Sequence, residues 1–136
     1  MATRILIADD HDAVRRRITQ LMEYHDGWEV CAEAENGKQA VLKATELKPD
    51  VVVLDLAMPV MNGIEAADEI GKVLPSVPVV LYTMYPLPVI ESKAKQVGVR
   101  KVVAKPDAAG LLKVVESLLK ESPEEPIPAN ATTDPY

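Results

Sequence analysis

Short apolar runs alternate with amphipathic segments along this chain of 136 residues. The apolar runs are rich in β-branched residues and predict five strands, at 4–8, 28–34, 51–54, 77–82 and 101–104. In the segments between and after them, apolar residues recur three and four positions apart. This spacing predicts five helices, at 13–24, 38–47, 63–74, 89–97 and 108–120. Asp12 and Asn36 are predicted to be the N-caps of the first two helices.

Strict alternation of strands and helices predicts an α/β fold, a doubly wound five-stranded parallel sheet with helices on both faces. The run at 51–54 is continuously apolar, as expected for a strand that is buried on both faces. The run at 28–34 alternates with Glu29 and Glu33, which predicts an edge strand. We predict one domain over 1–120. The last 16 residues, 121–136, hold four prolines and four acids, which predicts a disordered tail or linker.

Charge and hydropathy exclude several classes of function. The net charge is -6, and residues 1–120 hold 17 acids against 15 bases, so no basic surface for nucleic acid is expected. No apolar stretch approaches the roughly 20 residues of a membrane span. The first residues, M-A-T-R-I-L-I-A-D-D, reach acidic positions too early for a signal peptide, which predicts a cytoplasmic location.

Polar side chains follow four of the predicted strands. Asp9 and Asp10 follow the first, Asp55 the third, Thr83 the fourth and Lys105 the fifth. Because the carboxyl ends of parallel strands meet at one edge, where ligands bind, we expect these groups to lie together. Each alone has a structural explanation, since an aspartate after a strand is more often a helix cap than a catalyst.

Taken together, the three carboxylates would repel one another and raise at least one pKa. A hard divalent cation would relieve this repulsion, and carboxylates completed by water suit Mg²⁺, whereas the lack of His and Cys ligands argues against zinc. A carboxylate beside Mg²⁺, a lysine and a hydroxyl can accept a phosphoryl group. None of the six glycines stands two residues from another, so the chain has no dinucleotide-binding glycine motif.

These motifs resemble those of the response regulator receiver domains of two-component signalling, the CheY-like proteins. They are D-D after the first strand, D-x-x-x-P-x-x-x-G from Asp55 to Gly63, T after the fourth strand and K-P at Lys105-Pro106. The resemblance covers about residues 3–120. It implies a flavodoxin-like three-layer sandwich with the strand order 2-1-3-4-5, and a cis peptide bond before Pro106.

The resemblance also implies roles for the acidic residues. Asp55 matches the phosphoacceptor. Asp10 and Asp55 are expected to bind Mg²⁺ directly, Asp9 is expected to bind it through water, and the backbone carbonyl of Ala57 matches a third protein ligand. His11, which follows the acidic pair, is expected to be a surface residue.

Five further positions concern contact with the phosphoryl group, switching and tuning. Thr83 matches the hydroxyl that bonds to the phosphoryl group, and Lys105 matches the ammonium that pairs with it. Receivers usually carry Tyr or Phe three residues before the lysine, where this chain has Val102, which has no ring to relocate when the threonine moves. Tyr85 and Ala57 flank the expected phosphoryl position. Our hypothesis is that Tyr85 restricts water and slows phosphate loss, and the alternative is a partly exposed loop residue.

The main interpretation is a receiver that takes a phosphoryl group from a histidine kinase or phosphotransfer protein and then alters its binding to an unidentified protein partner. It is expected not to be an enzyme, since aspartate-nucleophile phosphohydrolases need a second Asp where Ala57 stands. Two alternatives remain: a receiver excised from a longer DNA-binding regulator, and an interaction module that is never phosphorylated. A homodimer is also left open.

Overall fold

The computed structural model describes residues 2–120, in which five strands and five helices alternate. The strands are β1 (Thr3–Ala8), β2 (Trp28–Ala34), β3 (Val51–Leu54), β4 (Val79–Thr83) and β5 (Lys101–Ala104). The helices are α1 (Asp12–Glu23), α2 (Gly37–Leu47), α3 (Gly63–Val73), α4 (Pro88–Gln96) and α5 (Ala108–Lys120). Every element lies within two residues of its predicted position. The predicted tail at 121–136 lies outside the described residues.

All five strands are parallel and follow the order β2-β1-β3-β4-β5, so the predicted sheet order is confirmed. β2 lies at an edge, as its alternating glutamates predicted. Helices α1 and α5 pack on one face of the sheet, and α2, α3 and α4 pack on the other, which gives three layers. Among the described residues, no helix combines the length and apolar character that a bilayer crossing requires.

The central strand β3 is apolar on both sides because both of its faces are covered. Val51 and Val53 join the core formed with α1 and α5, whereas Val52 and Leu54 join the core formed with α2, α3 and α4. All four side chains are buried, and each contributes about 1.5–3 kcal/mol to folding. The residue that follows this strand, Asp55, is therefore attached to a strand that is buried on both faces.

One of the two predicted caps is correct. The side chain of Asn36 accepts the backbone N–H of Gln39 at 2.8 Å and caps α2. The prediction for Asp12 was wrong, because α1 begins at Asp12 itself. His11 occupies the N-cap position, and its side chain makes no capping hydrogen bond to the helix. The Asp12 carboxylate instead accepts a hydrogen bond from the Arg15 guanidinium at 2.7 Å. This ion pair competes with a hydrogen bond from Asp12 to the backbone at the start of α1.

Gly63 closes the loop between β3 and α3, where the chain returns close to the end of β3. Its N–H donates to the carbonyl of Leu56 at 2.9 Å. A Cβ atom at this position would lie 2.2 Å from the Asp55 carbonyl oxygen and 2.9 Å from Leu81. Such distances are shorter than any van der Waals contact, so only glycine fits here without moving the backbone of Asp55.

We predict that Gly63→Ala lowers the free energy of unfolding by at least about 2 kcal/mol, because the added methyl group must push the backbone of Asp55 aside. Gly71→Ala in the same helix is the matched control, since its added Cβ would lie 3.6 Å from the nearest carbonyl oxygen. That control should be neutral or stabilising by up to about 1 kcal/mol. Urea denaturation measures both, and equal stabilities of the two variants would contradict the packing argument.

Candidate functional site

The predicted site residues meet at the carboxyl ends of four neighbouring strands. Asp9 follows β1, Asp55 follows β3, Thr83 is the last residue of β4, and Lys105 follows β5. The Asp55 N–H donates to the carbonyl of Ala8 at 2.9 Å, and the Lys105 N–H donates to the carbonyl of Thr83 at 2.8 Å. These bonds continue the strand pairing one residue beyond the strands, so the sheet itself fixes where the side chains start.

The Lys105 ammonium lies between two buried carboxylates. Its Nζ atom donates to Asp9 Oδ2 at 2.7 Å and lies 3.5 Å from Asp55 Oδ1. Asp9 is 1% exposed and Asp55 is 6% exposed. The same Nζ lies 5.7 Å from the centre of the Tyr82 ring, within the range of a cation–π contact. One positive charge therefore faces two negative charges in a largely water-excluded position.

Burial raises the pKa of the Asp55 carboxyl above its ordinary value, because desolvation disfavours the charged form. The Lys105 ammonium lowers this pKa and the Asp9 carboxylate raises it, and the net shift is upward. The folded chain therefore holds this proton more tightly than the unfolded chain does. Stability falls as the pH rises from the ordinary aspartate pKa through the raised one, and the ionised Asp55 destabilises the fold at neutral pH.

The acidic cluster fits a divalent cation. One ligand atom from each of Asp9, Asp10, His11 and Asp55 lies within 4.8 Å of the others. The carboxylate oxygens are hard donors, as Mg²⁺ prefers, and a further positive charge would offset the cost of ionised Asp55. Asp10 and Ala57 are exposed, so water has access to this side of the cluster. The predicted carboxylates are thus brought together, with the Ala57 backbone two residues beyond Asp55.

Thr83 is fully buried, and its hydroxyl already has one partner. The Oγ1 atom accepts the backbone N–H of Tyr85 at 3.0 Å, which leaves the hydroxyl proton available for donation. Tyr85 is 55% exposed, which agrees with the alternative prediction that it is a partly exposed loop residue. The loop that carries Tyr85 is therefore hydrogen-bonded directly to the Thr83 hydroxyl.

Val102 lies two strands away from Asp55, in the edge strand β5. It is half-buried, pairs with Leu81 across the β4–β5 register and packs against the core formed with α2, α3 and α4. A surface hollow of about 230 Å³ lies beside it, lined in part by Glu91 and Lys95 of α4. Position 102, where the resemblance implies an aromatic ring, thus borders open space in this chain.

Arg15 was missed by the sequence analysis. It is a buried arginine of α1 that donates to the Asp9 carbonyl at 2.8 Å, to Glu33 at 2.8 Å and to Asp12 at 2.7 Å. Burial alone lowers the pKa of Arg15, but the hydrogen bonds to Asp12 and Glu33 outweigh it and raise the pKa above its usual value. Arg15 shares a helix face with Ile18, three residues on, and this spacing was the available signal. The guanidinium ties α1 and β2 to the backbone of the acidic pair.

His11 lies on the surface as expected, but its ring also contacts the acidic pair. The imidazole is 69% exposed, and its Nδ1 atom lies 3.1 Å from Asp10 Oδ1 and 3.4 Å from Asp9 Oδ1. The backbone N–H of His11 donates to the same Asp9 oxygen at 2.9 Å. One feature of the sequence indicates this contact, which is that His11 directly follows the two aspartates.

Comparison with known sequences points to one family. The profile of the family described as the response regulator receiver domain matches residues 5–116. The response regulator GacA of Pseudomonas viridiflava is 36% identical over 115 residues, which cover 85% of this chain and 53% of GacA. The chemotaxis protein CheY of Thermotoga maritima is 37% identical over 122 residues, which cover 90% of this chain and 99% of CheY. The chain thus spans about half the length of GacA.

Solved structures give the same answer. The response regulator domain of Thermotoga maritima CheB superposes with a TM-score of 0.83 at 28% identity, covering 90% of this chain and 99% of that domain. A chain of the CheX-CheY-BeF3-Mg+2 complex from Borrelia burgdorferi superposes with a TM-score of 0.81 at 26% identity. That match covers 87% of this chain and 90% of the other.

Proposed function

The chain belongs to the response regulator receiver family, and on that premise we propose that it accepts a phosphoryl group on Asp55 from a phosphorylated histidine of a kinase or phosphotransfer protein. The observation that carries this proposal is the charge arrangement around Asp55. A buried carboxylate at the end of a fully buried strand lies 3.5 Å from the Lys105 ammonium and within metal-ligand reach of the Asp10 carboxylate.

In the proposed transfer, a carboxylate oxygen of Asp55 attacks phosphorus in line with the bond to the donor imidazole. The new O–P bond forms as the P–N bond breaks, and the imidazole leaves with the electron pair and takes a proton from solvent. Lys105 pairs with the phosphoryl oxygens that Asp55 acquires. The Thr83 hydroxyl, whose proton is not committed to Tyr85, donates to the same group.

Asp10, Asp55 and the Ala57 carbonyl are the proposed direct ligands of Mg²⁺, and Asp9 acts through water. Both Asp9 oxygens already accept hydrogen bonds, one from Lys105 and one from the His11 N–H. This supports the proposal that Asp9 contacts Mg²⁺ through water and not directly. When bound, Mg²⁺ supplies positive charge that neutralises the phosphoryl oxygens. The Borrelia CheX-CheY structure, which contains BeF3 and Mg+2, supports this choice of ion.

The proposed output is altered binding of a downstream protein rather than turnover. Position 57 is alanine, so the loop offers no second carboxylic acid two residues after Asp55 to act as a general acid. The identity of the partner, a cytoplasmic location and any further domain are parts of this proposal that rest on family membership alone.

We predict that incubation with Mg²⁺ and acetyl phosphate adds one phosphoryl group, detected by intact mass, because Asp55 attacks small phosphodonors by the same in-line step. Asp55→Asn should abolish the adduct. Asp26→Asn, which changes an exposed aspartate outside the site, is the matched control and should leave the adduct intact. Absence of any adduct would favour the module that is never phosphorylated, and catalytic release of phosphate would favour a hydrolase.

Tyr85 is proposed to slow the loss of phosphate by limiting the approach of water. We predict that Tyr85→Ala shortens the lifetime of the phosphorylated protein by at least about threefold, which corresponds to about 0.6 kcal/mol in the barrier. Leu87→Ala is the matched control, since Leu87 lies in the same loop and is also 55% exposed. The decay of the phosphorylated mass with time measures both lifetimes. Equal lifetimes in the wild type and Tyr85→Ala would show that Tyr85 does not slow the loss of phosphate.

A further inference from the structure

The imidazole of His11 stands at the outer, solvent-facing side of the acidic cluster. Lys105 holds the inner side, since its ammonium binds Asp9 Oδ2 and approaches Asp55. His11 Nδ1 faces the remaining oxygens, at 3.1 Å from Asp10 Oδ1 and 3.4 Å from Asp9 Oδ1. The cluster is therefore not made of oxygen donors alone, because a nitrogen donor belongs to the group of atoms within 4.8 Å of one another.

These separations match the spacing of ligands around a single ion. With metal–ligand bonds of roughly 2.1 Å, two ligand atoms lie about 3.0 Å apart at a right angle and about 3.4 Å apart at a tetrahedral angle. The His11–Asp10 distance of 3.1 Å falls at the first of these values, whereas the 3.4 Å distance joins His11 to Asp9, which is not one of the proposed direct ligands. The side chains need little rearrangement for one cation to contact both the imidazole and a carboxylate.

We propose that His11 is a ligand of this metal site and that it lets the site hold a borderline transition-metal ion, such as Co²⁺ or Zn²⁺, more tightly than Mg²⁺. This inference deepens the proposed function, since it rests on the same carboxylates. The ion is bound by Nδ1 of His11 together with the carboxylates of Asp10 and Asp55, with the ring proton on Nε2.

The chemical basis is the donor type. Imidazole nitrogen binds Zn²⁺, Co²⁺ and Ni²⁺ well, whereas Mg²⁺ strongly prefers oxygen ligands. A site that offers three carboxylates and one imidazole therefore serves both classes of ion. Because both ions use Asp10 and Asp55, a bound transition metal displaces Mg²⁺ from the phosphoacceptor. Metal identity thereby becomes a determinant of how readily Asp55 is phosphorylated.

His25 provides an internal comparison. Its Nε2 atom lies 3.1 Å from one carboxylate, that of Glu116, its Nδ1 atom lies 3.0 Å from the carbonyl of Asp26, and its ring stacks on Trp28 at 3.8 Å. Within residues 2–120 it therefore contacts a single carboxylate, and it does not belong to the acidic cluster. A variant of His25 removes an imidazole from the protein without removing a donor from the proposed site.

The test is calorimetric titration of the wild type, His11→Gln and His25→Gln with Co²⁺ and, separately, with Mg²⁺ at one fixed pH. The wild type should bind Co²⁺ more tightly than Mg²⁺. His11→Gln should weaken Co²⁺ binding at least about tenfold. It should leave Mg²⁺ binding within about twofold, because the carboxylates remain. His25→Gln should change neither affinity.

Direct ligation has its own signature. Proton NMR of the Co²⁺-loaded wild type should show hyperfine-shifted imidazole resonances that are lost in His11→Gln and retained in His25→Gln. Because the His11 side chain is 69% exposed, the variant should fold, and far-UV circular dichroism checks that it does.

Two results would overturn the inference. Unchanged Co²⁺ affinity in His11→Gln would mean that His11 only forms ion pairs with the aspartates. Equal weakening of Co²⁺ and Mg²⁺ would mean that His11 only positions the acidic pair. The phosphoryl adduct on Asp55, measured separately in Mg²⁺, distinguishes the two proposals. An adduct with His11-independent Co²⁺ binding defeats this inference alone, and His11-dependent Co²⁺ binding without an adduct defeats the proposed function alone.

Discussion

The burial of two carboxylates, Asp9 and Asp55, against the single ammonium of Lys105 constrains everything else at this edge of the sheet. The three residues come from β1, β3 and β5, so they meet only if these strands run parallel in the observed order. Lys105 starts two strands away from Asp55, and its side chain crosses β4 near the Tyr82 ring to reach the carboxylates. The contact between Lys105 and the two carboxylates therefore depends on the strand order, on the length of the lysine side chain and on the aromatic residue of β4.

This contact leaves negative charge in excess, and the surrounding structure keeps the carboxylates in place despite their repulsion. Gly63 allows the loop to return close to the Asp55 backbone, and Arg15 bonds to the Asp9 carbonyl from inside α1. These backbone contacts hold the starting points of the Asp55 and Asp9 side chains in place. Such repulsion makes the protein less stable than it would be otherwise, and the same excess of negative charge favours the binding of a cation at this cluster.

The sequence predicted the elements and the order of the sheet because alternating apolar runs leave few ways to bury strands on two faces. It also predicted which residues leave the strands toward the site, since strand ends in a parallel sheet share an edge. It missed the roles of Arg15 and His11, and it misplaced the cap at Asp12, for one shared reason. Residues 9–15 form a turn and the start of a helix, where the direction of each side chain depends on which ion pair forms. Spacing along the chain does not specify that choice among Asp9, Asp10, Asp12 and Glu33.

We expect ionised Asp55 to destabilise the fold and a bound cation to offset this cost. The most direct measurement is the free energy of unfolding of the wild type and Asp55→Asn by urea denaturation, without metal and over a range of Mg²⁺ concentrations at neutral pH. Without metal, Asp55→Asn should be more stable by roughly 1 kcal/mol, because a buried charge is removed. Added Mg²⁺ should stabilise the wild type with the logarithmic dependence of a ligand that binds only the folded state, and it should have little effect on the variant. A variant that is less stable without metal, or that responds to Mg²⁺ as the wild type does, would contradict the account.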